Sequence, residues 1–360
     1  MERCLNSIVK NMKTYGFGII GCGMISDFHS AAISELEHGQ LVAVSSRDAE
    51  NAKRLTDRYN VDSYADYAEM LKRDDLDIVC VCTPSGAHLE PAVAAAEAGK
   101  HVIVEKPLEI TLPRCDQIIE ACDAADVRLC AIFNSRFTES TQLVKSTIES
   151  GRFGKLTLGD AYIKWYRSQE YYDSGGWRGT WDLDGGGALM NQSIHAIDLL
   201  QYFMGPVKSV QAFTDTLAHE RIEVEDAAVA ALRFENGALG VIEGTTAAFP
   251  GMLKKTEISG TQGTVILAEE DIVTWEFDPE LPEDAEIREK FAQRTDTGGG
   301  ASDPRAINHA NHRRQMENLI NGLEHDASHL VDGREGRKAV EIILAIYQSS
   351  REGRPVELPL

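Results

Sequence analysis

Positive charge is scarce in this 360-residue chain: 36 Lys and Arg stand against 57 Asp and Glu, a formal net charge of −21. Nothing basic is left over to neutralise a nucleic-acid backbone, which excludes a nucleic-acid partner. An anionic lipid surface would repel the chain. Any anionic ligand must therefore find its positive field in a local pocket. Long apolar runs are also missing; none approaches the ~20 residues of a membrane span. The N-terminal MERCLNSIVKNMKTYG lacks the apolar core of a secretory leader, and Met12 opens a second plausible start, so the residues before it read as an alternative start or a loose extension. Cysteines are few and odd in number: Cys4, Cys22, Cys80, Cys82, Cys115, Cys122 and Cys130, with no Cys-x-x-Cys. Most sit in apolar runs, which predicts buried, reduced thiols in a cytoplasmic chain. There is no internal repeat.

What is present has a clear rhythm. Phe17–Ile20, Leu41–Val44, Ile78–Cys82, His101–Val104 and Leu129–Phe133 are short and almost continuously apolar. Amphipathic segments alternate with them, at 25–36, 49–58, 67–73, 87–98 and 112–125, and Gly99 stands where a helix C-cap belongs. Strands covered on both faces and separated by helices predict a doubly wound α/β domain with a parallel sheet. After a helix at 138–150 the period changes. Alternating segments at 156–166, 207–216, 227–234, 239–246, 256–259, 264–268 and 272–277, with an Asn236-Gly237 hairpin signal, predict a large, mainly antiparallel sheet with one face buried. Helices are expected at 189–203, 309–323 and 335–351. The acidic 269–289 stretch and the glycine-rich Thr297–Asp303 run read as exposed, the latter as mobile. Two domains are expected, 1–134 and 135–360.

Gly21-Cys-Gly23-Met-Ile-Ser26 lies between the first strand and the first helix. This is a dinucleotide fingerprint with Ser in place of the third Gly. Gly21 permits a tight turn, Gly23 lets a pyrophosphate approach the backbone, and Ser26 is small enough for helix to pack on strand. The backbone of Cys22, Met24 and Ile25 supplies the helix N-terminal amides that attract an anion. The ribose-reading position falls about 20 residues on, at Ser46-Arg47. An acid there would select NAD. Ser46 and Arg47 can instead bind a 2′-phosphate, which tips the expectation slightly from NAD to NADP; Asp48 close by keeps the preference small.

Glu105-Lys106-Pro107 ends a buried strand, the edge where open α/β sheets bind ligands, and Pro107 is a candidate cis proline. Further on, Gly185-Gly-Gly187 precedes a helix carrying Asn191, His195 and Asp198 at i,i+4 and i,i+3 spacing. A polar stripe on an otherwise apolar helix is costly unless paired or used. His309 and His312 have a ligand-like spacing, but no cysteine or acidic cluster near them in sequence completes a tetrahedral set, so no metal is expected.

GIIGCGMIS, CTPSGAH (82–88), AGKHVIVEKPL (98–108) and GGGALMNQSIHAIDLL (185–200) resemble the glucose–fructose oxidoreductase/inositol dehydrogenase/rhizopine catabolism (Gfo/Idh/MocA) family over nearly the whole chain. The WRGTW–GGGALMNQ–IH run resembles its UDP-N-acetyl-amino-glucuronate dehydrogenase-like branch. The resemblance implies a Rossmann domain, a C-terminal domain with a large open sheet and helices on one face, and a homodimer or homotetramer formed through that sheet. It implies nicotinamide-side contacts at Thr83, Pro84, His88, Glu105 and Asn134. It implies that Lys106 and His195 contact the reacting hydroxyl. Many members have Asp where this chain has Asn191, which removes an ionisable member of the proton relay.

The expected reaction is hydride transfer between nicotinamide and a secondary hydroxyl of a sugar, sugar acid, cyclitol or nucleotide-sugar. His195 suits the role of base at neutral pH, and Lys106 suits that of electrostatic stabiliser. Tyr172 and Arg178 are candidate substrate anchors, Arg178 through its bidentate fork; a structural ion pair is the competing role for Arg178. Two other functions compete: an NAD-dependent glycosidase that oxidises only transiently, and a ligand-sensing protein without turnover.

Overall fold

The computed structural model describes residues 13–292 and 308–360. The N-terminal extension, Cys4 and the Thr297–Asp303 run lie outside the described residues. The chain forms two compact units. Of the described residues, the first comprises 13–109, 113–132 and 308–336; the second comprises 110–112, 133–292 and 337–360. Nothing in the β-α rhythm signals the return of Asn308–Gly336 to the first unit.

The first unit is built on strands β1 (Tyr15–Ile20), β2 (Gly39–Ser45), β3 (Asp62–Tyr64), β4 (Ile78–Val81), β5 (His101–Val104) and β6 (Leu129–Ala131). Their order is 3-2-1-4-5-6 and every pair is parallel. β1 and β4 are buried along their whole length, as apolar runs covered on both faces must be. Phe17, Ile19, Ile78, Cys80 and Ile103 form the centre of the core, each large side chain contributing roughly 1.5–3 kcal/mol by leaving water. Asp48 caps the helix Ala49–Tyr59, its carboxylate accepting from the Glu50 and Asn51 amides. Gly99, at φ +72°, terminates the helix Leu89–Glu97 as expected. The helix Ala310–Glu324 lies against Ile25–Ser34, and Gln315 donates to the Ala131 carbonyl at 2.7 Å. The strand order reverses at β1, so the switch point lies at the carboxyl ends of β1 and β4, where Gly21 and Thr83 stand.

The second unit holds an eight-stranded sheet ordered 13-12-11-7-10-9-8-14. Its strands are β7 (Leu156–Lys164), β8 (Val207–Asp215), β9 (Ala227–Phe234), β10 (Leu239–Thr245), β11 (Lys255–Gly260), β12 (Gly263–Ala268), β13 (Asp271–Phe277) and β14 (Val356–Glu357). It is antiparallel except where β7 and β10 run parallel. The helix Ile194–Met204 packs on β7 and β11. Short elements escape the sequence reading: β3, β14, and the helices Gln169–Asp173 and Glu283–Lys290. The last falls in the acidic stretch expected to be exposed, yet it buries Asp284, which accepts from Trp275 Nε1 and pairs with Arg152. No described helix is long and apolar enough to cross a membrane. The six described cysteines are buried.

Candidate active site

In the first unit, β1 runs directly into the fingerprint turn. Gly21 adopts φ +96°, and a Cβ there would stand 2.7 Å from the Cys82 backbone, so both the turn and the close approach require glycine. Among the described residues, a Cβ at Gly23 would meet nothing within 4 Å: the space beside it is open to them, as a cradle for a pyrophosphate must be. Met24, at the start of the helix Ile25–Ser34, provides no side-chain cap, which leaves the first-turn amides of Met24 and Ile25 available to an anion. Ser26 is fully buried and donates to the Gly23 carbonyl at 2.5 Å. Burial pushes the Cys22 thiol up to about 11, so it is a packing residue rather than a nucleophile. These residues fit a dinucleotide.

One neighbour of the turn, Arg54, was not legible in its motif. Arg54 donates to the carbonyls of Cys22 and Gly23 at 3.1 and 3.2 Å and pairs with Asp27. Facing those carbonyls outward leaves the amides to face a ligand. At the ribose end, Ser46 Oγ accepts from the Asp48 amide at 3.1 Å, and Asp48 is occupied as a helix cap. Arg47 is exposed and has no polar side-chain partner among the described residues.

At the end of β5, Glu105 is 4% exposed and the Lys106–Pro107 peptide is cis. Glu105 Oε1 accepts from His29 Nε2 at 2.8 Å and lies 3.5 Å from His312 Nε2. Its Oε2 accepts from the Lys106 backbone amide at 3.0 Å. Burial pushes the carboxyl up, but hydrogen bonds from His29 and His312 outweigh it and hold Glu105 well below the usual range. Burial also lowers His312 and His88. His88 faces the Pro107 carbonyl through Nδ1 and the Thr83 carbonyl through Nε2, joining the turn after β4 to the loop after β5. Thr83 Oγ1 donates to the Ala87 carbonyl, in the turn that Pro84 opens. The acidic partner missing beside His312 in sequence is thus supplied by Glu105. Together with His29 they are a group whose ligand-capable atoms lie within 4.8 Å of one another.

In the second unit the expected helix begins differently. Ala188–Ser193 is a wider π-helical turn, and the α-helix starts at Ile194. The wider turn ends just before His195, so Asn191 lies in the π segment and His195 in the first turn of the α-helix. Gly187 is pressed against another chain segment, since a Cβ would stand 1.9 Å from the Glu225 carbonyl oxygen. The Glu225 carboxylate accepts from the Gly187 and Leu189 amides and from the Tyr347 hydroxyl at 2.8–2.9 Å. Burial dominates here and pushes Glu225 up to about 7. Asn191 donates to Asp184 at 2.5 Å and accepts from Gln192 at 2.9 Å, so its amide orientation is set. His195 is half-buried, its ring edge-on to Phe133 at 5.8 Å. Asn134 is buried in the turn that follows. Asp198 is fully buried in a bidentate pair with Arg136 at 2.6 and 2.8 Å; it holds the helix in place.

The two expected anchors differ. Tyr172 is buried, and its hydroxyl is hydrogen-bonded with Thr246 at 2.9 Å. Arg178 stacks on Tyr171 at 4.8 Å and Trp177 at 5.0 Å and donates to Ser174. It has no carboxylate partner among the described residues, so it is not spent on a structural ion pair.

Comparison with known proteins agrees with this geometry. Residues 15–133 match the oxidoreductase family with an NAD-binding Rossmann fold, and residues 141–266 match the GFO/IDH/MocA C-terminal domain. Myo-inositol 2-dehydrogenase of Thermotoga maritima is 31% identical over 257 residues, 69% of this chain and 73% of that one. D-glucoside 3-dehydrogenase of Escherichia coli is 27% identical over 94% of this chain and 96% of that one. The WlbA dehydrogenase of Bordetella pertussis, solved with NADH and UDP-GlcNAcA, is 37% identical, with a TM-score of 0.89 over 97% of this chain and 99% of that one. With both of its halves matched and its fingerprint turn built to receive a dinucleotide, the chain belongs to the GFO/IDH/MocA oxidoreductase family.

Proposed function

We propose that this protein is an NAD(P)-dependent dehydrogenase that moves a hydride between nicotinamide and a secondary hydroxyl of a sugar-type substrate, with a nucleotide-sugar acid as the first candidate. The observation that carries the reading is the likeness, over 97% of the chain, to a dehydrogenase solved with NADH and UDP-GlcNAcA. Arg178 adds to it. A guanidinium stacked on two rings, without a carboxylate of its own, suits a carboxylate or diphosphate on the substrate.

The cofactor is held through Gly21, Cys22, Gly23, Met24, Ile25, Ser46 and Arg47, with Thr83, Pro84, His88, Glu105, Lys106 and Asn134 towards the nicotinamide end. The cofactor, when bound, supplies the hydride acceptor. His195 takes the hydroxyl proton, and Lys106 donates to the same oxygen as negative charge develops on it. Asn191 orients the substrate, while Tyr172 supports the wall behind it. A carboxylate stands one hydrogen bond behind Asn191, on Asp184. NADH in the neighbour puts NAD first, while the uncommitted Arg47 supports use of NADP as well.

The outward face of the second sheet exposes Phe213 (77%) opposite Val229 in register, and Leu239 opposite Leu158. An apolar patch of this kind supports a homodimer or homotetramer through the sheet. Buried, reduced thiols support a cytoplasmic location.

The test has two stages. Thermal-shift titration with NAD, NADH, NADP and NADPH ranks the cofactors, because preferential binding stabilises the folded state. Turnover is then followed with UDP-GlcNAcA, myo-inositol and alkyl glucosides. Net nicotinamide reduction is expected, and Lys106→Met abolishes it while the remaining contacts keep the cofactor bound. Glycoside cleavage without net reduction, or near-normal turnover by Lys106→Met, overturns the reading.

A further inference from the structure

The strongest feature left without a role is the buried set His29, Glu105 and His312. His29 lies one turn below the fingerprint, on the helix whose N-terminus forms the anion cradle. His312 comes from the helix Ala310–Glu324, and Glu105 from the end of β5. All three are at most 5% exposed. His29 Nδ1 is buried with no hydrogen-bond partner among the described residues, so the ring's engagement there is through Nε2, on Glu105. Both imidazoles face one carboxylate oxygen, and the other oxygen accepts from the Lys106 amide. A chain of contacts thus runs from the cofactor-binding helix, through a buried anion, to the backbone of the lysine at the strand end.

We propose that His29 and His312 are positioning residues which, through Glu105, fix the backbone of Lys106 and tie its placement to the helix that receives the cofactor pyrophosphate. This rests on Lys106 being the working lysine. A lysine carried on a long flexible stem places its ammonium reproducibly only if the main chain beneath it is held. A displacement of about 1 Å at a reacting group costs on the order of a hundredfold in rate. The separation of 2.8 Å between His29 and Glu105 is that of a direct hydrogen bond, which favours shared protons over a metal ion bridging the same atoms.

The experiment compares His29→Phe and His312→Phe, which keep ring volume and lose the donor, with His29→Gln and His312→Gln, which keep a side-chain N–H. Lys106→Met is run in parallel. Turnover is measured on the substrate identified above, and NADH affinity by fluorescence. Acetylation of Lys106 by acetic anhydride, read by peptide mass spectrometry, reports on the lysine without any turnover. The Phe variants are expected to lower kcat about 10- to 100-fold with NADH affinity retained. They should also change the Lys106 acetylation rate while other lysines react as before, and the Gln variants should recover most of both. Phe variants with wild-type kcat and wild-type Lys106 acetylation overturn the proposal. So does a loss that merely follows NADH affinity. Stoichiometric zinc, iron or manganese in the purified protein, lost on His29→Gln, overturns it in favour of a metal site. If Lys106→Met itself turns over normally, the failure belongs to the functional reading; the acetylation rates still decide whether the histidines position Lys106.

Discussion

Two buried carboxylates, one in each unit, respond to burial in opposite ways. Glu105 is held well below the ordinary range, and Glu225 is pushed up to about 7. Both have lost solvent, so burial alone does not decide the outcome. Glu105 accepts from two imidazoles and one amide. Glu225 accepts from two amides and a phenol, which offset only part of the desolvation. The first is a permanent anion beside Lys106. The second is a carboxyl near its midpoint at neutral pH, clasping the π turn that leads to His195. Charge is kept where the proposed chemistry needs a fixed field, and a weaker clamp suffices where a main-chain turn needs only to be shaped.

The contrast can be broken most forcefully through the helix carrying His195. Asp198→Asn leaves the Arg136 guanidinium buried with half its partner. Removing one member of a buried pair costs about 3–5 kcal/mol, so denaturant unfolding should show a large loss of stability. A loss under about 1 kcal/mol, the range of exposed pairs, would show that the pair does not hold the helix.

The pH dependence sharpens the contrast next. Between the unfolded value near 4.5 and about 7, the folded state holds a proton on Glu225 that the unfolded chain has released. This contribution is therefore full below 4.5 and disappears as pH rises through 7, an effect of up to about 3 kcal/mol. Glu225→Gln removes it, so wild type and variant should converge at low pH and the variant should gain relative stability towards pH 8. His312 works in the other sense: its lowered pKa costs stability as pH falls below 6.5. Parallel stability curves for wild type and Glu225→Gln would place the Glu225 pKa in its ordinary range.

Smaller effects separate substrate from cofactor. Arg178→Ala should raise KM for a substrate bearing a carboxylate or diphosphate by about 10- to 100-fold, the worth of a charge-assisted hydrogen bond. Lys at that position should restore little, since it neither forks nor stacks as a guanidinium does. Equal KM values for charged and neutral sugars would remove Arg178 from the site. Arg54→Ala frees the Cys22 and Gly23 carbonyls. It should weaken cofactor binding only severalfold, about 1 kcal/mol for a net hydrogen bond, with kcat unchanged. An unaltered dissociation constant would show that the turn needs no such support.

What the sequence made legible follows from how local each feature is. The fingerprint, the EKP strand end and the fully covered strands are contiguous, so residue order alone reveals them. Asn191 and His195 were found by spacing, but the π turn that carries Asn191 leaves no periodic signal, so the segment was read as one regular helix. Glu105 was legible as a motif residue; its partners His29 and His312 were not, because the fold brings them from distant helices. Arg54, Asp184 and Glu225 escaped notice because each satisfies backbone or amide groups, a role that carries no motif. β3 and β14 are too short and too exposed at the sheet edge to show an apolar run.

One measurement reaches the central claim most directly: nicotinamide absorbance after mixing the protein with NAD and UDP-GlcNAcA, wild type beside Lys106→Met. Reduced nicotinamide should accumulate with the wild type, and with Lys106→Met it should not, although NAD still binds. Equal accumulation in both would contradict an account in which Lys106 stabilises the forming alkoxide.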